Sequence, residues 1–462
     1  MPRAPGKIIA DGPRDVTDAL VAALRAPSLD HDIALSLTHP FHTYPARLHP
    51  ATARILVDVV AETIPNLGRA PDRSRDGRTG GAGTLDRTAP GRSAPDRSAP
   101  DRSASERAAS ERAAPVAILD PFCGSGTVLV EAAAAELPAV GVDLNPLATL
   151  VARAKTWLVP PHRRRKLREA AHAIAGGVLA AGKAARRAGA EPMPRRRPTG
   201  FDPNARDRRL AAWFAPHVRR ELEALAAAVD DVERDDAELG GILLACLSAI
   251  LYKVSSRTSD TDGTWVDRDI ARGQACRLFA QRADLLSAGL DDLPPRPRPR
   301  VVEADARTLG TAGIVPDGTA GGVVTSPPYA GTYDYAEHQR LRFDFLALHH
   351  RDFDAGEIGA RRSFDQPREG SNPTAAWRTA LADTLHTLGR ALAPGARAAI
   401  VIGDSLAAGR AMYALDDVRA ALTSDLLVEA WASQHRPILG AVERRAFADR
   451  PKSEHILLLR RG

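Results

Sequence analysis

Residues 116–143 carry three signals in an order that few architectures accommodate. Val116-Ala117-Ile118-Leu119-Asp120 reads as a buried strand. Pro121-Phe122-Cys123-Gly124-Ser125-Gly126-Thr127 follows as a turn, and residues 128–135 read as a helix. Ala139-Val140-Gly141-Val142-Asp143 is the next strand and ends in an acid. Strand, glycine turn, helix, strand is the layout of a nucleotide-type cofactor site, in which the glycines let backbone approach the ligand. Asp143 lies ~20 residues past the turn, where doubly wound folds set a carboxylate against ribose hydroxyls. The glycine spacing is Gly-x-Gly without the third glycine, which points away from a dinucleotide.

A second motif lies some two hundred residues on. The apolar run Gly321-Gly322-Val323-Val324-Thr325 reads as a short buried strand and ends in Ser326-Pro327-Pro328-Tyr329. Two prolines fix φ and remove two backbone donors, so carbonyl oxygens are left pointing outward. With a hydroxyl before them and a ring after, the loop offers acceptors beside a stacking face, which suits a planar group bearing an NH₂. Alone, such a loop is as well explained by a tight turn with a core tyrosine; its pairing with the glycine turn favours the functional reading.

Asp-Pro-Phe-Cys-Gly-Ser-Gly-Thr together with Ser-Pro-Pro-Tyr resembles the amino-methyltransferases of DNA, which methylate cytosine N4 or adenine N6. The resemblance implies S-adenosyl-L-methionine as cofactor, held by Asp120, Phe122, Gly124, Ser125, Gly126, Thr127 and Asp143. It implies catalytic roles for Ser326, Pro327, Pro328 and Tyr329, with the Ser326 side chain and the Pro327 carbonyl accepting from the target amine. The serine-headed loop resembles the cytosine-N4 members more than the adenine-N6 members. The proline-rich stretch 39–47, with Pro45, resembles the segment placed beside the methionine end of the cofactor. Asp305, in Glu303-Ala304-Asp305-Ala306, resembles the acid that meets the adenine ring. Thr332-Tyr333-Asp334-Tyr335 and residues 357–361 resemble the segments downstream of the loop in some bacterial members. The resemblance covers the first and last thirds of the chain.

An exocyclic amine is a poor nucleophile because its lone pair is delocalised into the ring. Acceptors aimed at both N–H bonds draw that pair back to nitrogen, which then attacks the sulfonium methyl in line; positioning and charge stabilisation suffice. Tyr329 would stack on the base, a contact worth ~1–3 kcal/mol. In duplex DNA the target must be flipped out of the stack. Cys123 is read as a packing residue.

The expected fold is α/β, a doubly wound and mostly parallel sheet of methyltransferase type with a helical insertion. Residues 1–67 read as an N-terminal helical part of the catalytic domain and 68–115 as a low-complexity disordered loop. Residues 116–155 read as the cofactor-binding βαβ, 156–298 as a helical insertion with a DNA-recognition role, and 299–462 as the catalytic half. The loop repeats Ala-Pro-Asp-Arg-Ser at 94–98 and 99–103, lacks aromatic residues and is almost free of large aliphatics, so it cannot offset its ordering entropy. In the insertion, Arg163-Arg164-Arg165-Lys166, Arg195-Arg196-Arg197 and Arg208-Arg209 are basic clusters. Solvated helix faces are the default for such runs; beside a DNA enzyme's motifs, phosphate contact is the expectation, with Arg257 in the polar loop 253–262 at the lip of the cleft.

Charge adds little: Lys plus Arg exceed Asp plus Glu by 63 − 57 = 6. Three cysteines make no disulfide framework and no zinc spacing, and His349-His350 near Asp352 and Asp354 reads as loop rather than metal site. No signal-type or membrane-spanning segment is evident, so a cytoplasmic protein is expected. The expected activity is site-specific methylation of duplex DNA at cytosine N4, as a modification methylase, with a cognate restriction endonuclease as a candidate partner and no membrane. Three alternatives stay open: adenine-N6 methylation of DNA, amine methylation of RNA, and a non-catalytic nucleic-acid-binding protein on the same scaffold.

Overall fold

The computed structural model describes residues 6–64, 116–189, 203–258 and 264–462. The expected loop 68–115, Arg195, Arg196 and Arg197, and the loop tip 259–263 lie outside the described residues.

Ten strands are present among them: β1 Ile8–Asp11, β2 Ile118–Asp120, β3 Ala139–Asp143, β4 Arg300–Glu303, β5 Ala320–Thr325, β6 Leu392–Gly403, β7 Ser405–Ala407, β8 Arg410–Met412, β9 Leu426–His435 and β10 Ser453–Arg461. Eight form one sheet in the order β1-β9-β10-β6-β5-β2-β3-β4, and β7 and β8 make a separate ribbon. The β4-β3-β2-β5-β6 half is parallel, while β10, β9 and β1 continue it antiparallel. The doubly wound, mostly parallel α/β sheet expected from the strand signals is the observed fold, closed by the antiparallel pair β9 and β10. Strand β1 carries no signal in the sequence. Four residues, three of them exposed, are too short to show a periodicity of their own, and β1 exists by pairing Ile8 with Gln434 and Asp11 with Trp431.

The apolar runs of the central strands follow from burial on both faces. Ile118, Val324, Val401 and Ile456 pack under helices Arg14–Leu29, Pro50–Ala61 and Thr127–Ala134. Their neighbours Leu119, Val323, Ile400 and Leu457 point to the other face, against Trp377, Leu381 and Leu385 of helix Pro373–Ala391. Consecutive residues thus serve opposite cores, as the pleat requires.

Between β3 and β4 the chain runs through helices Pro146–Lys155, Pro161–Arg187, Pro203–Trp213, Pro216–Asp235, Ala237–Ser248 and Gln274–Asp291. The helices of the insertion share a core with Phe41, Val130, Leu147 and Val151, so they continue the cofactor-side layer. The first basic cluster is engaged in ion pairs within the protein. Arg163 Nη1 lies 2.5 Å from Asp236 and its Nη2 3.2 Å from Glu238, Lys166 lies 3.1 Å from Asp236, Arg164 2.6 Å from Asp291 and Arg165 3.5 Å from Glu169. Asp236 also caps helix Ala237–Ser248 by accepting from the Leu239 amide at 3.1 Å. Arg163, Arg164 and Lys166 thus tie helices together, while Arg165 pairs within its own helix. Arg209 is likewise paired with the buried Asp344 at 2.6 Å.

Strand β2 sits between β3 and β5, where the winding changes direction and where open α/β sheets bind ligands outside their carboxyl ends. Both sequence motifs leave the sheet there. The Thr325 hydroxyl donates to Asp120 Oδ1 at 2.7 Å and ties the last residues of β2 and β5 together. Among the described residues no helix is long and apolar enough to cross a membrane.

Candidate active site

The glycine turn is shaped by two residues in the left-handed region, Gly124 at φ 48° and Gly126 at φ 79°. They serve different ends. A Cβ at Gly126 would fall 3.0 Å from Ala152 Cβ, so that glycine lets the turn rest on helix Pro146–Lys155. A Cβ at Gly124 would meet nothing nearer than Tyr44 Cε1 at 3.7 Å, because it faces an open cleft. Asp143 holds the turn: Oδ2 accepts from the Gly124 amide at 2.9 Å and Oδ1 from the Asn145 amide at 2.8 Å. Each oxygen keeps a lone pair for a further donor. Burial pushes the Asp143 carboxyl up to about 6, against the pull of these two amides.

Asp120, Phe122, Gly124, Ser125, Thr127, Asp143 and Asp305 all line one cleft, and Gly126 lies behind it. Asp120 accepts from the Phe122 amide and from Thr325, and burial still raises its carboxyl to about 7. The hydroxyls of Ser125 and Thr127 are buried with no partner, on the wall of the same cleft. Asp305 is clamped by the Arg307 guanidinium at 2.5 Å and accepts from the Arg307 amide at 2.9 Å, which holds it below the usual carboxylate range against burial. Cys123 is buried, and desolvation drives its thiol well up, as suits a packing residue.

The proline-rich segment covers one side of the cleft, one residue off the expected position. Pro45 is buried and does not line it; Tyr44, Ala46, Arg47 and Leu48 do. The segment is docked by Glu131, whose two oxygens take His39 Nε2 at 2.7 Å and Arg54 Nε at 2.8 Å. Burial lowers His39 to about 4, so it donates as the neutral ring. Tyr44 accepts at its hydroxyl from Asn145 Nδ2 at 3.1 Å. Tyr335 and Glu357 also line the cleft, and the Tyr335 amide donates to Glu357 Oε1 at 2.7 Å. Their stretches stand out in the sequence only by resemblance; no spacing rule assigns them a role.

A second cavity of about 340 Å³ adjoins the first, and both are lined by Ala46, Arg47, Leu48, Ser326 and Tyr335. Tyr329, Tyr333, Arg436 and Glu454 belong to the second alone. Ser326 therefore stands at the junction. Pro328 reaches the first cavity, and its carbonyl accepts from Trp377 Nε1 at 3.0 Å, which pins the loop. Pro327 is buried and lines neither cavity. The Tyr329 ring lies on Gly403, where a Cβ would come within 2.8 Å of Cε2. Its hydroxyl donates to Glu454 Oε1 at 3.2 Å, and burial raises it to about 12. The Tyr333 and Tyr335 rings lie 5.5 Å apart, centroid to centroid.

Of the expected nucleic-acid residues only Arg257 is described; it stacks over the half-exposed Trp265 ring at 4.6 Å. His350 stacks on Phe343 and pairs with Asp354 at 2.9 Å, a local packing role.

Comparison with known proteins points to the same region. A family model described as an RMKL-like methyltransferase domain matches residues 108–159. The Type II methyltransferase M.MvaI of Kocuria varians is 24% identical over 127 residues, 28% of this chain and 17% of the relative, so the match spans under a fifth of that protein's length. Two solved structures align at low similarity. TrmN from Thermus thermophilus has 12% identity and a TM-score of 0.28, over 77% of this chain and 46% of its own. The rRNA methyltransferase aviRa from Streptomyces viridochromogenes has 11% identity and a TM-score of 0.30, over 95% and 94%. The family match and the curated relative support a methyltransferase.

Proposed function

We propose that this methyltransferase moves the methyl group of S-adenosylmethionine to an exocyclic amine of a base in DNA, cytosine N4 in the first place. The observation that carries the reading is the wall shared by the two cavities, with Ser326 at their junction. One cavity suits the cofactor. Its glycine edge is bare, Asp143 keeps lone pairs for ribose hydroxyls, and the Ser125 and Thr127 hydroxyls await a donor or acceptor. Asp305 stands where the resemblance puts the adenine ring, and Arg47 and Asp120 bound the same cleft. When bound, the cofactor supplies an electrophilic methyl group.

The rest falls to this chain. The tyrosine-lined cavity takes a base rotated out of a duplex, with Tyr329 on its face. The Ser326 hydroxyl, at the junction of the two cavities, accepts from the amine and returns its lone pair to nitrogen. The expected target is duplex DNA at a specific site, which a modification enzyme would protect from a partner nuclease. The test is to incubate the purified protein with labelled cofactor and either unmethylated duplex DNA or RNA, then identify the modified nucleoside by mass. N4-methyldeoxycytidine is the expected product. Label in RNA alone would remove the DNA reading, and N6-methyldeoxyadenosine alone would remove the base assignment.

A further inference from the structure

Two charged side chains stand in the tyrosine-lined cavity outside every motif. Arg436 follows the last residue of β9, and Glu454 is the second residue of β10. Both are held by the sheet. The Arg436 amide donates to the Lys452 carbonyl at 2.7 Å, and Glu454 is in register with Gln434 on one side and Gly403 on the other. The carboxylate is shared: Oε1 takes the Tyr329 hydroxyl at 3.2 Å and Oε2 takes Arg436 Nη2. Among the described residues the other guanidinium nitrogens of Arg436 have no hydrogen bond, and the side chain is 38% exposed. Ser326, Tyr329, Arg436 and Glu454 thus line one cavity, with the Tyr329 hydroxyl between the Ser326 hydroxyl and the Arg436–Glu454 pair.

We infer that Arg436, oriented by Glu454, is the residue that selects the base, by donating to the ring positions next to the amine on the same edge. This rests on the reading of the cavity as the site of a flipped base. With the amine held at Ser326, the edge of cytosine runs from N4 through N3 to O2, two successive acceptors. The corresponding edge of adenine runs from N6 through N1 to a C–H. A guanidinium fork presents paired donors in one plane and matches two acceptors. Against adenine one donor is left facing carbon, and a buried donor without a partner is disfavoured. Glu454 fixes the plane of the fork and joins it to Tyr329, so face and edge of the base are read by one connected set of side chains.

The test uses the full-length protein, S-adenosylmethionine and unmethylated random-sequence duplex DNA, with nucleoside mass analysis and calorimetric cofactor binding. Arg436→Gln should lower N4-methyldeoxycytidine formation by about tenfold or more, as loss of a charge-assisted hydrogen bond implies, with cofactor affinity unchanged. Arg436→Lys, which keeps the charge but not the fork, should fall between the two. Glu454→Gln should raise the share of N6-methyldeoxyadenosine. Wild-type rate and product ratio in Arg436→Gln would overturn the inference alone. So would loss of cofactor binding in both arginine variants, which would mark a structural role. A wild-type product confined to adenine would end it while leaving amine transfer in place. Absence of any methyl in DNA would instead end the reading on which it rests.

Discussion

The two cavities meet at Ser326 yet are made in different ways. The cofactor cleft is largely local: residues 120–127 and 143–145 supply its floor, and backbone does much of the holding, through the Gly124 and Asn145 amides on Asp143. The target cavity is assembled from side chains far apart in sequence, from Leu24 and His49 through Tyr329 and Tyr333 to Val401, Arg436 and Glu454. A backbone cradle needs a short, recognisable string of glycines and caps. A side-chain cavity needs only that distant residues arrive together. The first can be altered without touching the second, and that separability is open to measurement.

Tyr329→Ala is the sharpest probe. It removes the stacking face and the donor to Glu454 while leaving the glycine turn intact. Turnover should fall by about a hundredfold, near the upper range of base–aromatic stacking, with cofactor affinity unchanged by calorimetry. A parallel loss of cofactor binding would show that the two cavities behave as one. Asp143→Asn attacks the other side. It exchanges a charge-assisted acceptor for a neutral one, and cofactor affinity should drop about tenfold, with turnover at saturating cofactor largely kept. Because the Asp143 carboxyl titrates near 6, wild-type cofactor affinity should weaken as pH falls through about 6 and the variant's should not. A pH profile shared by both proteins would take Asp143 out of the binding charge.

Gly403→Ala asks a finer question, since it lies outside both motifs. The new methyl would press on Tyr329 Cε2 at 2.8 Å and tilt the ring. A severalfold loss of turnover is expected, with cofactor affinity again unchanged, as for a modest overpacking strain. Unchanged turnover would mean that the ring's placement on β6 does not matter.

The same contrast governs what can be read from the chain. The βαβ unit and the loop 326–329 are legible because strand runs, φ > 0 glycines and prolines are one-dimensional signals with local causes. Strands β9 and β10 show as apolar runs. Pro45 falls one residue off the cleft, because resemblance locates the segment while the Glu131 bonds to His39 and Arg54 set its registration. Arg163 and Lys166 point toward DNA in the sequence because a run of charge does not show its partners; Asp236 lies 73 residues from Arg163. Arg436 and Glu454 have no signal at all. Each is an ordinary charged residue at a strand end, and only the register of β9 against β10 brings them to Tyr329.

The smallest effect bears on why the cleft is backbone-built. Asp120 is buried, and burial raises its carboxyl to about 7, above the ~3.9 of an unfolded chain. A folded-state value above the unfolded one means that the ionised form disfavours folding. That cost is absent below about 4, grows as pH rises, and is complete above about 7. Asparagine retains the Oδ1 acceptor for Thr325 and for the Phe122 amide but carries no charge. Asp120→Asn should therefore raise the thermal midpoint at about pH 8 by a few degrees, and by less at about pH 5. Cofactor binding should weaken in the same variant, because Asp120 lines the cleft. A midpoint that falls at pH 8 would show the carboxylate to be stabilising, and the cleft would then hold its charge without strain. A midpoint that rises with no change in cofactor affinity would leave Asp120 as a link between β2 and β5 only. A rise together with weaker binding would mean that the cleft keeps a destabilising charge for its ligand, on a frame of amides firm enough to hold it there.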